Sequence, residues 1–323
     1  MQAVVYTEYG SPDVLKIQTI AQPTPKADEV LIRIEAVSVN SADVRLLTAK
    51  PFLVRLEMGL RRPVKCPILG SDVAGYVEAV GQNVTHFKVG EAVFGNTFSF
   101  GGGFAEYVAV REHVLAHKPE GIPFDVAATL PMAGLTALQG LRDAGEIKAG
   151  QKVLINGASG GVGTFAVQLA KHFGAEVTGV CSTGKVAMVR DLGADHVIDY
   201  TKDDFTTRGA AYDLILGVNG YHPLRHYKRA LRPGGRYVMI GGENAQIFQA
   251  LLLGKLVFRG GDTSMRILAE LKPSRDDLTF LINLVAQGTL TPLIDQHYSL
   301  PQVPDAIRYL QTGHPRGKVV IVM

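Results

Sequence analysis

The chain has 323 residues, 46 % of them hydrophobic and 20 % charged, which is the make-up of a folded globule long enough for two cores and excludes a disordered chain. With 33 basic against 30 acidic residues the net charge is +3, and no basic block resembles a nucleic-acid-binding arm. Two cysteines, Cys66 and Cys181, are too few for a disulfide framework and fit a reducing, cytoplasmic setting.

The N-terminus, Met1-Gln-Ala-Val-Val-Tyr, begins directly as a strand and lacks the basic and apolar regions of an export signal. Up to about residue 118, short runs of Val, Ile, Tyr and Phe are broken by Gly, Pro and Asn. Val30-Leu-Ile-Arg-Ile-Glu-Ala-Val, Ala74-Gly-Tyr-Val-Glu-Ala-Val, Gly90-Glu-Ala-Val-Phe and Phe104-Ala-Glu-Tyr-Val-Ala-Val predict a β-rich, barrel-like region. From about residue 124 the period turns helical, through Ala127-Ala-Thr-Leu-Pro-Met-Ala-Gly-Leu-Thr-Ala-Leu. Strands and helices then alternate to about residue 242, which calls for a parallel, doubly wound sheet. The most apolar window, residues 247–258, contains Gly254 and Lys255, is too short to span a bilayer, and suits a core or a subunit contact. The tail ends in a helix pattern and a strand, Lys318-Val-Val-Ile-Val, and is expected to return to the first domain.

One stretch carries specific chemistry. Lys152-Val-Leu-Ile-Asn-Gly reads as an apolar strand, Ala158-Ser159-Gly160-Gly161-Val162-Gly163 as a glycine turn, and Thr164-Phe-Ala-Val-Gln-Leu-Ala-Lys as an amphipathic helix. That order aims backbone N–H groups and a positive helix end at a pyrophosphate, so a dinucleotide cofactor is expected, although Ala158 takes the first glycine place of G-x-G-x-x-G. About 20 residues further on, where an acid would accept from a ribose 2′-OH, stand Ser182, Thr183, Gly184 and Lys185. Two hydroxyl donors and a lysine favour a 2′-phosphate, hence NADPH over NADH; the plain alternative is a solvated loop. Asn219, Gly241 and Gly242 fall at predicted carboxyl ends of strands, where an open α/β sheet binds ligands. Lys318 offers an ammonium to the pyrophosphate from the returning tail, or is simply solvated at a strand start.

The arrangement resembles the medium-chain dehydrogenase/reductase superfamily, and most of all its zinc-independent quinone oxidoreductase branch. The motifs that carry the resemblance include Gly70-Ser-Asp-Val-Ala-Gly-Tyr-Val-Glu-Ala-Val-Gly, Gly102-Gly-Phe-Ala-Glu-Tyr, Leu130-Pro-Met-Ala-Gly-Leu-Thr-Ala, Leu192-Gly-Ala-Asp-His-Val-Ile-Asp-Tyr and Gly313-His-Pro-Arg-Gly-Lys-Val-Val. The plant chloroplast-envelope homologues of that branch are especially similar, with no plastid address following from that. The resemblance implies a Rossmann-type doubly wound parallel sheet over residues 121–260 and a β-rich GroES-like domain over residues 1–120 with 261–323. It also suggests a homodimer. Zinc alcohol dehydrogenases of the superfamily place a Cys ligand where this chain has Val39-Asn40-Ser41-Ala42-Asp43, and a His-Glu pair where it has Ser71-Asp72, so no metal is expected. The pairs His113 with His117 and His222 with His226 have no acidic or Cys company and read as ordinary histidines.

By the same resemblance, Asn40 faces the nicotinamide and substrate, Asp43 lies beside it, Thr136 touches the nicotinamide end, and Tyr200 packs on the adenosine side. Two readings stay open for Asp43, which also suits a helix cap, and for Tyr200, which also suits a core aromatic. Arg45 stands where family members often have Tyr, which leaves the family's proton delivery without its side chain here. Without a Lewis acid, ionising an alcohol is hard at neutral pH. Hydride transfer to a quinone or an α,β-unsaturated carbonyl needs mainly alignment and hydrogen-bond donors. The expectation is therefore an NADPH-dependent quinone or enone reductase; the alternative is an NADPH-binding sensor or scaffold with little turnover. A short-chain dehydrogenase is disfavoured, since none of the 11 tyrosines has lysine four positions on. The segment Pro51-Phe-Leu-Val-Arg-Leu-Glu-Met-Gly-Leu-Arg-Arg-Pro mixes apolar and basic residues, as a lid for a lipophilic acceptor or a peripheral membrane contact would.

Overall fold

The computed structural model describes residues 1–64, 67–97, 101–268 and 271–323, and for Leu53 and Glu57 the backbone alone. Cys66 lies outside the described residues. The chain divides into two compact units, one made of residues 1–132, 272–288 and 292–323, the other of 133–271 and 289–291.

In the first unit β1 (Gln2–Val5) and β2 (Lys16–Thr19) form an antiparallel hairpin. β3 (Glu29–Val39) is its longest strand and is followed by α1 (Ser41–Thr48), α2 (Leu53–Met58), β4 (Asp72–Val80), β5 (Ala92–Asn96), β6 (Tyr107–Arg111) and β7 (Leu115–His117). Most of β3 is buried because it has neighbours along both edges, and its apolar run, including Val30, Ile32, Ile34, Val37 and Val39, joins the main core. α3 (Phe124–Ala128) packs on β3 and β4. The first boundary therefore falls at residue 132, within α4 (Pro131–Gln139), and not at the expected 120.

The second unit holds β8 (Lys152–Asn156), α5 (Gly161–His172), β9 (Glu176–Cys181), α6 (Val186–Asp191), β10 (His196–Asp199), β11 (Tyr212–Gly217), α7 (Leu224–Ala230), β12 (Leu231–Met239), α8 (Asn244–Val257) and β13 (Ser264–Ile267). Its six strands are all parallel in the order β10-β9-β8-β11-β12-β13. The chain starts at β8, winds outward through β9 and β10, and returns to β11, so the strand order reverses between β8 and β11. The expected end at 260 moves to 271, because β13 pairs in register with β12 and belongs to this sheet. Four residues of mixed character, Ser-Met-Arg-Ile, carry no strand pattern of their own.

The tail contributes α9 (Arg275–Ala286), β14 (Ile294–Ser299), α10 (Val303–Gln311) and β15 (Lys318–Val322). β15 lies antiparallel to β3 and parallel to β14, completing a seven-stranded sheet of the first unit in the order β14-β15-β3-β4-β5-β7, with β6 also on β3. This register carries Lys318 to the end of β3 from which Asn40 follows.

Candidate active site

In the first unit the carboxyl end of β3, the start of β4 and the start of β15 converge on a buried polar group. Asp72 is its hub. Its Oδ2 accepts from Ser38 Oγ and Asn40 Nδ2, both at 2.9 Å, and its Oδ1 accepts from Asn96 Nδ2 at 2.6 Å and the Met132 N–H at 3.0 Å. The Lys318 ammonium lies 3.8 Å from Asp72 Oδ2 and donates to Asn40 Oδ1 at 2.6 Å. Burial pushes the Asp72 carboxyl up and the Lys318 ammonium down, and each charge opposes the other's shift.

Asn40 is fully engaged in this group. Its second amide hydrogen goes to Ser38 O at 3.3 Å, so both of its donors are spent within the protein. The resemblance implies that Asn40 faces the nicotinamide and substrate; with both hydrogens used, its amide has none left to donate to a substrate carbonyl. Asp43 settles as a cap: its Oδ2 accepts the Asn40 N–H at 2.7 Å and its Oδ1 the Gly70 N–H at 2.9 Å, tying the start of α1 to the turn before β4. Burial, reinforced by Asp72, raises its carboxyl to about 6 against two opposing hydrogen bonds. Lys318 corrects a second expectation. At 3 % exposure it is not solvated, and its ammonium is held by Asn40 and Asp72 instead of being offered to a phosphate.

In the second unit the glycine turn sits at the carboxyl end of β8. Gly157, with φ +93°, takes the left-handed conformation, so Ala158 one place on tolerates a side chain. Gly163 packs α5 against the turn, since a Cβ there would lie 2.1 Å from Gly157 O. Gly160, the residue before α5, has an open side: a Cβ there would meet nothing nearer than Gly157 O at 4.0 Å. The first N–H groups of α5 follow that opening, which fits a pyrophosphate. Asn219, exposed after β11, crowds Gly157 from across the reversal point, where an added Cβ would lie 2.9 Å from its own. Gly241 and Gly242 follow the end of β12, and Thr136 is half-buried on α4 in this unit.

Ser182 and Lys185 bound a short turn after β9 and are half-buried. Thr183 donates its hydroxyl to Asp199 Oδ2 at 2.6 Å and has Thr201 Oγ1 at 3.1 Å, so it is not the outward donor expected of it. Thr201 also donates to Asp199, at 2.7 Å, and these hydroxyls hold the carboxyl down at about 2. Asp199 lies beyond the stretch about 20 residues past the glycines and enters from the end of the next strand, β10. Tyr200 is 62 % exposed, which rules out the core reading.

The resemblance to a superfamily with zinc-dependent members raises the question of zinc, and the residues at the first unit's polar group do not fit it. Both Asp72 oxygens are occupied by donors, Asn40 contributes no thiolate, and a buried ammonium beside them repels a dication. Elsewhere, among the described residues, no three His, Cys, Asp or Glu side chains gather as a metal site. His222 instead packs on Phe205 and Tyr227, and His117 on Phe87; His117 does have an acidic neighbour, against the sequence reading, with Glu91 Oε2 3.8 Å from its Nδ1.

A parallel sheet reversing at a glycine cradle in one unit, and in the other a β-rich sheet completed by the chain's tail, define a two-unit dinucleotide-dependent oxidoreductase. Residues 26–120 match the alcohol dehydrogenase GroES-like domain and residues 192–321 the zinc-binding dehydrogenase model. The chain is 33 % identical to a chloroplast envelope quinone oxidoreductase homolog of Arabidopsis thaliana, over 99 % of this chain and 98 % of that one. It is 34 % identical to an NADPH-dependent alkenal/one oxidoreductase of the same plant, over 99 % of this chain and 79 % of the relative. The quinone oxidoreductase structure from Coxiella burnetii superposes with a TM-score of 0.90 at 29 % identity, covering 100 % of this chain and 99 % of that one. The protein belongs to the quinone oxidoreductase branch of the medium-chain dehydrogenase/reductase superfamily and is an oxidoreductase.

Proposed function

We propose that the protein is an NADPH-dependent, zinc-independent reductase of quinones or α,β-unsaturated carbonyls. The observation that carries this reading is the open cradle at Gly160, followed by the amino end of α5 and flanked by the Ser182–Lys185 turn. Bound NADPH supplies the hydride. Gly160 to Gly163 hold the pyrophosphate with backbone N–H groups, Ser182 and Lys185 take the 2′-phosphate, and Tyr200 covers the adenosine side. Asn219, Gly241 and Gly242 line the nicotinamide side, with Thr136 as its hydroxyl. Asn40 and Asp43 act by fixing the wall made by the start of α1 and the Gly70 turn.

No side chain of the Asn40 group is placed to give up a proton. The Asp43 carboxyl, at about 6, is mostly ionised at pH 7 and has both oxygens engaged, and the Lys318 ammonium is already shared. The proton that completes reduction therefore comes from solvent. We further infer a cytoplasmic homodimer: β13 ends the six-stranded sheet, and α8 exposes Phe248, Leu251, Leu252 and Leu256 for a second copy to cover.

Oxidation of NADPH and NADH against a panel of quinones, enones and long-chain reactive carbonyls tests the reading. NADPH-dependent turnover of one class supports it, while tight binding without turnover on any of them points to the sensor. Binding titrations separate the determinants. Lys185→Ala is expected to weaken NADPH by roughly 10- to 100-fold and leave NADH nearly unchanged. Asp199→Asn removes a negative charge beside the turn and should raise the preference for NADPH roughly three- to tenfold at low salt, and less at high salt. An unchanged preference would leave Asp199 as a tether of the turn alone.

A further inference from the structure

Segment 50–64 of the first unit stands apart in charge and exposure. It carries Lys50, Arg55, Arg61 and Arg62 against Glu57, a net +3, so the other residues hold 29 basic and 29 acidic side chains and sum to zero. All of the chain's net charge is thus concentrated in fifteen residues. Within the same segment Phe52, Leu56, Leu60 and Val64 recur at intervals of four and are each 60–66 % exposed. The other large exposed apolar residues of this unit, Ile17, Val80, Val89, Val322 and Met323, stand in ones and twos on separate strands and turns.

The segment is also firmly mounted. α2 turns Val54 and Met58 into the main core, Tyr9 donates its hydroxyl to Gly59 O at 2.8 Å, and the Arg55 guanidinium lies 5.0 Å from the centre of the Tyr9 ring. With one apolar set buried, Phe52 and Leu56 form a second, outward set that the unit's own core does not require. Lys50, Arg61 and Arg62 are exposed around it.

We propose that this segment docks the protein on an anionic bilayer surface, its exposed apolar side chains entering the headgroup boundary while the lysine and arginines meet lipid phosphates and carboxylates. Apolar side chains with a cationic rim match that chemistry, and neither part alone gives stable attachment. The cations are what favour a bilayer over a neutral lipophilic acceptor as the occupant, since an uncharged quinone or enone has no use for them. Reversible docking would place the enzyme where lipophilic electrophiles dissolve.

The test is flotation of the full chain with vesicles of phosphatidylcholine alone or with about one third phosphatidylserine, at low and high salt. The unsubstituted protein is expected to bind only the anionic vesicles, and less at high salt. Arg61→Gln with Arg62→Gln should weaken binding by about 25-fold, on the order of fivefold per charge, and leave the apolar side chains in place. Phe52→Ser with Leu56→Ser and Leu60→Ser should weaken it at least about tenfold with the charges unchanged. NADPH binding and the unfolding midpoint, followed in parallel, show that each variant is folded. Failure of the unsubstituted protein to float, or variants that float as it does, would overturn the proposal. So would a change of sedimenting mass in the serine variant, which would make the segment a protein–protein surface, or restored NADPH-oxidising activity at higher acceptor concentration as the only defect of either variant.

Discussion

At the scale of single residues, the buried charges of the first unit are the most demanding feature of the chain. Lys318 and Asp72 are nearly inaccessible to water, and each is tolerable only because the other is present and the remaining lone pairs and protons are satisfied by Ser38, Asn40, Asn96 and Met132. Lys318→Met should therefore lower the unfolding free energy by ~3–5 kcal/mol in urea titrations, and adding Asp72→Asn should recover much of that loss; additive losses would show that the pair is not coupled. Asp43 gives the group a pH dependence. Its folded value of about 6 lies above the ordinary aspartate value of 3.8, so the folded state binds its proton more tightly than the unfolded one. Its contribution to stability is thus greatest below about pH 4 and declines as pH rises to about 6, by ~1.4 kcal/mol per unit at most. Asp43→Asn lacks this titration, and the stability difference between the two proteins should shift against the unsubstituted chain between pH 4 and pH 6. A constant difference across that window would place the Asp43 titration elsewhere.

At the scale of elements, the glycine turn separates two uses of one residue type. Gly163 is required by packing, and Gly163→Ala should cost ~1–3 kcal/mol and disturb the turn, since its Cβ would press on Gly157 O and the Ala158 backbone. Gly160 faces open space with φ −87°, so Gly160→Ala should leave the melting temperature nearly unchanged and still weaken NADPH binding. Loss of fold in both variants would remove the distinction. This strand, turn and helix were legible in the sequence because every signal in them is local: an apolar run, glycines at fixed offsets, and a 3.6-residue period in α5. β13 was not, because its four residues draw their strand character wholly from pairing with β12. The polar group was half legible. Asn40 and Asp43 stand three residues apart at a helix start, but the Asp72 carboxylate that takes an Asn40 amide hydrogen lies 32 residues further on and the Lys318 ammonium that occupies its Oδ1 lies 278 further on, and no local pattern announces that a strand's first lysine will be buried against an aspartate. Asp199 escaped for a related reason, since neighbouring strands of a parallel sheet bring their carboxyl ends together across a whole helix of intervening sequence.

At the scale of the molecule, the order of the chain sets what can fold alone. The second unit is nearly continuous, from residue 133 to 271, and contains all six strands of its sheet. The first unit is not: β15 lies between β14 and β3, and α10 supplies Val303, Ala306 and Ile307 to the same core as β3 and β4. A chain ending at residue 132 would leave one edge of β3 unpaired where β15 belongs, and would expose Asp72 and Asn40 without Lys318. Fragment 133–271 is accordingly expected to fold and bind NADPH, though less stably, because the Gln168 bonds to Thr291 are lost with residues 289–291. Fragment 1–132 is expected to remain without fixed tertiary structure. Amide chemical-shift dispersion of the two fragments decides between this and the reverse. A well-dispersed 1–132 would mean that the tail decorates an already complete barrel. A poorly dispersed one would mean that the first unit cannot close until the last strand has been made, so that Asn40, Asp72 and Lys318 come together only once the full chain is present.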